Sequence, residues 1–206
     1  MKVLGLGDNV VDKYLHQKLM YPGGNAVNFS VYAKQMGMDA AYLGIFGNDE
    51  EGKHLIRVLT ELGIDLSRCR YGEGENGCSL IDHADGDRVM AGWNRGGLQQ
   101  EFPLTFDESD FAYMKQFRLI HSSWYSCIES ELPAIRALGV PFSFDCADEW
   151  DDEYLSRVCP HVDLCLLSFG SKEEEEVRRK LRFVADTYGC RYALGTMGKR
   201  GAVLHY

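Results

Sequence analysis

The chain has 206 residues, 45% apolar and 26% charged, which fits one soluble α/β domain, or one domain with a small appendage, and excludes disordered, collagen-like and fibrous classes. Its 31 acidic and 22 basic side chains give a net charge of -9; the basic footprint that a phosphate backbone or an anionic membrane surface needs is missing, so neither nucleic acid nor membrane is expected as a partner. No apolar run approaches the roughly 20 residues that span a bilayer, and Met1-Lys2-Val3-Leu4-Gly5 opens without an apolar leader segment, so a cytoplasmic protein is expected.

Val3–Leu6 reads as a first strand. A polar segment, Gly7-Asp8-Asn9-Val10-Val11-Asp12, follows it. The stretch Pro22-Gly23-Gly24-Asn25-Ala26-Val27-Asn28 opens a helix over Asn25–Met36, with Gly37 as its left-handed stop. Ala41–Phe46 reads as a strand. In the next helix Leu55, Val58, Leu59 and Leu62 recur at i, i+3, i+4 and i+7 as one apolar stripe, and Gly63 ends it. Cys78–Ala84 and Asp87–Gly92 face each other across Asp85-Gly86, a pair that supplies the positive φ angles of a type I′ hairpin. Strand patterns recur at Leu119–Trp124, Val140–Cys146, Val162–Ser168 and Arg191–Thr196, with helical stretches near Glu129–Leu138 and Ser171–Tyr188.

In the last helix Ser171 is expected to cap the start and Glu174 to complete a capping box. Glu174/Arg178, Glu175/Arg179 and Glu176/Lys180 are spaced to pair along its surface, which makes the run Glu173–Glu176 a solvated helix start rather than a metal site. The alternation of strands and helices implies a doubly wound α/β fold on a mostly parallel sheet with right-handed crossovers, and the hairpin is an excursion from it.

Seven cysteines without a Cys-x-x-Cys pair (Cys69, Cys78, Cys127, Cys146, Cys159, Cys165 and Cys190) read as reduced thiols, several of them in apolar strands. The six histidines, at 16, 54, 83, 121, 161 and 205, show no ligand spacing and read as core or solvated residues. Open parallel sheets bind ligands at the carboxyl ends of their strands. Three segments fall there: Gly7–Asp12, Pro22–Asn28 and Gly195-Thr196-Met197-Gly198-Lys199-Arg200-Gly201. As a dinucleotide fingerprint the first fails, because Gly5-x-Gly7-x-x-Val10 lacks its third glycine and Tyr21-Pro22 stands where an acid should end a second strand. A Rossmann oxidoreductase is thereby disfavoured, and no Gly-Lys-Ser/Thr marks a P-loop. Gly23-Gly24-Asn25 suits a polyol instead. The two glycines allow close backbone approach, the helix start offers N–H groups, Asn25 and Asn28 add amides, and Asp8 and Asp12 would accept hydroxyl hydrogens. The same residues also read as a plain β–α turn with an Asn-capped helix.

Gly23-Gly24-Asn25-Ala26-Val27-Asn28, Gly37, Gly44-Ile45-Phe46-Gly47-Asn48-Asp49, Gly52, Leu59 and Gly63-Ile64-Asp65, in that order, resemble the N-terminal signature of the ribokinase-like (PfkB-type) sugar kinases, over nearly the whole chain. Gly7-Asp8-Asn9-x-Val11-Asp12, the Ala84–Val89 hairpin, His121 and Phe144-Asp145-x-x-Asp148-x-Trp150-Asp151 are most similar to those members that phosphorylate the 6-hydroxyl of fructoselysine, a fructosamine, with ATP and magnesium. The resemblance implies a ribokinase-like α/β domain over 1–206 with lid strands inserted around 76–95, a lid that closes over the sugar and often clasps a second copy as a homodimer. It assigns sugar binding to Asp12, Gly23, Gly24, Asn25 and Asn28, and ATP phosphates to Thr196 and Gly198. Asn25 replaces the lysine of ribokinase itself, which argues for a different sugar. Ser168 replaces an asparagine near the magnesium–phosphate region, with Glu173 or Glu174 close by, so no metal ligand is assigned. Arg88 and Arg95, on or beside the lid, are placed to pair with an amino-acid carboxylate of the substrate, or else are solvated. The family's Gly-Ala-Gly-Asp motif, which carries the catalytic base, is expected beyond Tyr206, so no catalytic residue is assigned, the C-terminal part of the fold is expected to be missing, and the 206 residues alone are expected to be inactive. Rival readings are a kinase for another ketose or a sugar acid, and a non-catalytic sugar-binding remnant.

Overall fold

A computed structural model of the chain describes residues 1–84 and 87–206, and the side chains of all of these except 83, 84, 87 and 88. The type I′ turn expected at Asp85-Gly86 and the side chain of Arg88 therefore lie outside the described residues. The chain divides into two compact units, one of Met1–Thr105 with Tyr125–Cys127 and one of Phe106–Trp124 with Ile128–Tyr206.

The first unit runs β1 (Lys2–Leu6), β2 (Val10–Tyr14), β3 (Leu19–Gly23), α1 (Asn25–Gln35), β4 (Asp39–Leu43), β5 (Ile45–Phe46), α2 (Glu50–Glu61), β6 (Arg70–Tyr71), β7 (Cys78–Ala84), β8 (Asp87–Trp93) and a one-turn α3 (Leu98–Glu101). The crossover helix α1 joins β1 to β4, which pair in parallel from Lys2 opposite Asp39 to Leu6 opposite Leu43. Val3, Leu4 and Leu6 bury against Ala40–Leu43, a continuous apolar run of the kind that a strand covered on both faces requires. Gly5 sits where α1 presses on the strand: a Cβ there would lie 2.1 Å from the Ala26 carbonyl oxygen and 2.3 Å from Ser30 Oγ. Ser30 Oγ in turn donates to the carbonyls of Ala26 (3.1 Å) and Ala41 (2.9 Å), which ties the helix to the strand.

The expected hairpin is part of something larger. Val10–Tyr14 and Leu19–Gly23 form a second, antiparallel hairpin, and β2 pairs in parallel with β7, which gives a four-stranded sheet in the order β3-β2-β7-β8. Two segments to which the sequence reading gives no strand are therefore strands. Pro22 is compatible with this because β3 is an edge, where a missing N–H leaves no ladder bond unmade. The expected single strand over Ala41–Phe46 is divided into β4 and β5 at Gly44, where a Cβ would meet Tyr42 Oη at 1.9 Å and the Gly7 carbonyl at 2.4 Å. Helix α2 follows its predicted stripe in part: Leu55 and Leu59 are fully buried, Val58 is half-buried, and Leu62, the cap residue after the helix, is exposed; Asp49 caps the start by accepting from Gly52 N at 2.9 Å.

The second unit runs α4 (Glu108–Met114), β9 (Leu119–Ser123), α5 (Leu132–Arg136), β10 (Phe142–Asp145), α6 (Asp152–Val158), β11 (Leu164–Ser168), α7 (Glu174–Tyr188), β12 (Tyr192–Thr196) and β13 (Ala202–His205). Strands β9 to β12 pair in parallel in chain order, and β13 closes against β12 in antiparallel sense. Asp107 with Asp110 makes a capping box for α4, and Asp151 caps α6 by accepting from Tyr154 N at 2.7 Å.

Helix α7 departs from expectation. It starts at Glu174 with Glu173 as cap residue and no side-chain cap, because Phe169–Lys172 is a turn closed by Lys172 N to Phe169 O at 3.1 Å, and that turn takes up Ser171. Of the three expected ion pairs only Glu174–Arg178 forms (2.6 Å); Glu176 reaches back to Lys172 (3.1 Å) and Lys180 pairs with Asp152. All seven cysteines are free thiols, and Cys146, Cys159, Cys165 and Cys190 are buried, as expected of small apolar core residues. Among the described residues no helix is long and apolar enough to cross a membrane.

The close approach of α1 to β1 carries a stability prediction. Gly5→Ala forces a methyl against the Ala26 carbonyl and Ser30 Oγ of α1, which must shift off β1 to accept it, and urea unfolding should show a loss of about 1–3 kcal/mol. A variant as stable as the native chain would contradict that packing.

Candidate functional site

The segments that the sequence singles out at strand ends fall into two groups, one in each unit. In the first unit β1 delivers Gly7-Asp8-Asn9 at its carboxyl end, β3 delivers Gly23, and α1 begins immediately after Gly24. Gly24 is the cap residue of α1 at φ 98°, ψ 143°, a conformation that only glycine adopts without strain. A Cβ there would also lie 2.7 Å from Asn9 Cα and 3.0 Å from Asp8 Oδ2.

Asp8 is 5% exposed. Its carboxylate takes the first two amides of α1: Oδ2 accepts from Asn25 N, and Oδ1 accepts from Ala26 N at 3.2 Å. Ser126 Oγ lies 3.0 Å from Asp8 Oδ1, accepts from Asp8 N at 3.1 Å, and sits 3.3 Å from the Leu6 carbonyl. Sequence reasoning gives the helix-start amides and Asp8 separately to a ligand; in the structure they satisfy each other. Four unpaired N–H groups open every helix, and a buried carboxylate carries a large cost unless it is hydrogen-bonded. Their pairing across 17 residues removes both penalties. The cap residue of α1 is Gly24, which makes no side-chain cap, rather than an asparagine.

Behind Asp8 a second network braces the segment. Tyr42 is fully buried; its hydroxyl donates to the Gly7 carbonyl at 2.5 Å and accepts from Asn9 Nδ2 at 2.8 Å, while the same amide group reaches the Ile45 carbonyl at 2.8 Å. Burial pushes the Tyr42 hydroxyl well above its usual range, so it stays a donor. Neither Ser126 nor Tyr42 is visible as a site residue in the sequence, since each acts through a partner that only the fold brings near.

The side chain of Asp12, on β2, projects onto the face of Gly23: a Cβ at Gly23 would sit 3.2 Å from both Asp12 Cγ and Asp12 Oδ2. A side chain at position 23 would press on that carboxylate and on Val10 Cγ2, 3.1 Å away. Asn28 lies one turn into α1 and is exposed. Asp12, Gly23, Gly24, Asn25 and Asn28 are consequently on contiguous pieces of one unit, with Asp8 beneath the turn. Arg95 lies just after β8, exposed, with φ 59°.

In the second unit Thr196 ends β12, its hydroxyl 3.4 Å from Ser168 Oγ at the end of the adjacent β11. Gly198 follows at φ 58° with open space where a Cβ would be, and opens a single 3-10 turn to Arg200. Arg200 donates to the carbonyls of Gly170 and Lys172, which fixes this loop to the one after β11. Among the described residues no three His, Cys, Asp or Glu side chains are grouped to hold a metal. The acidic stretch around Asp148 supplies instead the cap of α6. Trp93 is exposed on β8.

The mostly parallel sheet of strands joined by crossover helices, with an added four-stranded sheet, is the architecture of the ribokinase-like kinases that the chain matches. The chain belongs to the pfkB family of carbohydrate kinases, whose model matches residues 3–204. It is 40% identical over 205 residues to the fructosamine kinase FrlD of Bacillus subtilis (strain 168), covering 99% of this chain and 72% of that protein. It is 29% identical to the fructoselysine 6-kinase of Escherichia coli (strain K12), covering 98% and 76%. Among solved structures, a ribokinase of Arabidopsis thaliana complexed with ribose and ATP superposes with a TM-score of 0.78 at 14% identity, over 98% of this chain and 73% of that one, which shows the shared fold.

His121, on β9, supplies a pH test of the second unit. Burial pushes its imidazole down to about 4, and Nδ1 lies 2.8 Å from Ser143 Oγ. The folded chain therefore keeps the ring neutral while the unfolded chain protonates it below its ordinary value near 6.5. Stability should be fully present above that value and fall by about 3 kcal/mol as pH drops from 6.5 to 4. Denaturant titrations across this range should show that slope in the native chain and a shallower one in His121→Gln; equal slopes would contradict the assignment.

Proposed function

We propose that the protein transfers the terminal phosphoryl group of ATP to the 6-hydroxyl of a fructosamine, fructoselysine or a close analogue. The observation that carries the reading is the glycine turn at the start of α1 facing the Asp12 carboxylate; its support is the 40% identity to a fructosamine kinase along nearly the whole chain. Asp12 accepts hydrogens from sugar hydroxyls, the backbone at Gly23 and Gly24 allows the sugar to approach, and the amides of Asn25 and Asn28 donate to and accept from the remaining hydroxyls. Asp8 supports this surface from beneath rather than touching the hydroxyls.

Phosphoryl transfer rests on positioning and charge stabilisation. In the second unit Thr196 and Gly198 would receive the ATP phosphates, Thr196 through its hydroxyl and Gly198 through an uncovered backbone. Bound with ATP, magnesium would supply neutralisation of phosphate charge, and no residue of this chain is assigned to hold it. Arg95 pairs with the carboxylate of the amino-acid moiety, which distinguishes a fructosamine from free fructose. Leu19, Tyr21, Met90 and Trp93 are exposed on the four-stranded sheet, and this apolar surface is the proposed clasp for a second copy.

Binding is the property these residues determine directly. Thermal shift with fructoselysine, fructose and ribose should rank them in that order, with fructoselysine at 100 times its Kd adding about 2.7 kcal/mol of stability. Asp12→Asn should remain folded and bind fructoselysine at least about tenfold more weakly. Arg95→Ala should weaken fructoselysine but not fructose; an unchanged ratio would remove Arg95 from the site. No stabilisation by any of the three sugars would overturn the reading.

A further inference from the structure

Gly47, Asn48, Asp49 and Gly52 belong to a motif that the proposed site does not use, yet their polar groups converge on one place, the root of the β7–β8 hairpin. Asp49 Oδ1 caps α2 by accepting from Gly52 N at 2.9 Å, and its Oδ2 accepts from Asn76 N at 2.9 Å. Gly47 N donates to Asn76 Oδ1 at 3.1 Å, and Asn48 Oδ1 accepts from Gly74 N at 3.1 Å. The fit leaves no room at Gly47, where a Cβ would lie 2.5 Å from Asn76 N. Asn94, directly after β8, closes the root: its Oδ1 accepts from Cys78 N and its Nδ2 donates to the Asn76 carbonyl, both at 2.8 Å. Asn76 is 1% exposed, and an amide at that depth holds one geometry because a lost partner leaves an unpaired buried group.

We infer that Asp49, Asn76 and Asn94 are positioning residues for sugar binding: they fix the four-stranded sheet against α2, and thereby fix Asp12 against the start of α1. This rests on the sugar site proposed above and adds to it residues that act without touching the sugar. The connection runs through backbone. The Gly77 carbonyl accepts from Asn76 Nδ2 at 3.1 Å and from Val11 N at 2.8 Å, and Val11 precedes Asp12 on β2. Gly77 allows that crossing, since a Cβ there would lie 2.5 Å from the Asn9 carbonyl oxygen. Successive residues of a strand point to opposite faces, so Lys13 leaves the sheet on the side away from Asp12. There it pairs with Glu51 of α2 and lines, with Asp49, Asn76 and Asn94, a cleft of about 420 Å³. The brace therefore stands behind the sheet, and the sheet is held at two ends: by Asp8 where it meets α1, and by this brace where it meets α2.

Calorimetric titration of fructoselysine, fructose and ribose into the native chain, Asn94→Ala and Asn94→Ser tests the assignment, with the folding of each variant checked by circular dichroism. Asn94→Ala removes both side-chain bonds at the root. It should weaken every sugar that the native chain binds by at least about tenfold, and all by the same factor, because no single hydroxyl loses a partner of its own. Asn94→Ser keeps a short acceptor for Cys78 N and should lose less. Backbone amide NMR supplies a readout that a general loss of stability would not move. In folded, unliganded Asn94→Ala the amides of Val11, Asp12, Gly24 and Asn25 should shift, while those of β11 and β12 in the second unit stay in place. Unchanged affinity in folded Asn94→Ala overturns the inference, as does selective loss of one sugar, which would make Asn94 a contact residue. Loss of fold in both variants also overturns it, since the brace would then hold the unit together rather than orient its sheet. Failure of the native chain to bind any of the three sugars overturns the sugar site itself.

Discussion

One buried carboxylate organises the first unit. Asp8 leaves the end of β1 with nowhere to be solvated, and α1 begins with amides that have no intrahelical partner. Each charge-assisted bond between them contributes about 1.5–3 kcal/mol, and neither partner could be left alone at that depth without a comparable penalty. The pairing fixes the distance between the end of β1 and the start of α1, and with it the left-handed backbone of Gly24. A ligand that docks on this turn meets it already shaped and does not have to order it, which preserves binding energy.

The rest of the unit keeps that pairing in register. Tyr42, on the strand beside β1, reaches back to the Gly7 carbonyl and carries the Asn9 amide, so the segment between β1 and β2 is held from the side opposite to Ser126. Strand β2 then brings Asp12 beside Gly23, where a Cβ would press on its carboxylate. In the second unit the ends of β11 and β12 use the same device in weaker form: Arg200 clasps the carbonyls of the loop after β11, and Thr196 and Ser168 meet at the ends of adjacent parallel strands. In both units glycine with positive φ appears where a strand gives way to the backbone that would face a ligand.

Much of this was legible in the sequence, and the parts that were not share a cause. The apolar runs of β1, β4 and β9 to β12 are local patterns, and the structure follows them, as it does the Leu55 and Leu59 part of the α2 stripe. Val10–Tyr14 and Leu19–Gly23 hide as strands because most of their residues are half-buried or exposed and their residue types, VVDKY and LMYPG, do not alternate between apolar and polar, and Tyr21-Pro22 reads as a turn unless an edge is already known to be there. The glycines of the turn and Asp12 are visible because chemistry at a strand end leaves a signature in residue type. The role of Asp8 is not, since its partners stand 17, 18 and 118 residues away. The capping expected of Ser171 fails for the converse reason: a local motif was overridden when Phe169–Lys172 closed into a turn.

The central claim is that the turn between β3 and α1 is where carbohydrate binds. Backbone amide NMR of the isotopically labelled chain, titrated with fructoselysine, tests it most directly. The account predicts saturable shifts concentrated at Asp12 and from Gly23 to Asn28, with Asp8 and Ser126 responding through their bonds to that turn. Saturable binding that leaves those amides unmoved and shifts residues elsewhere would contradict it.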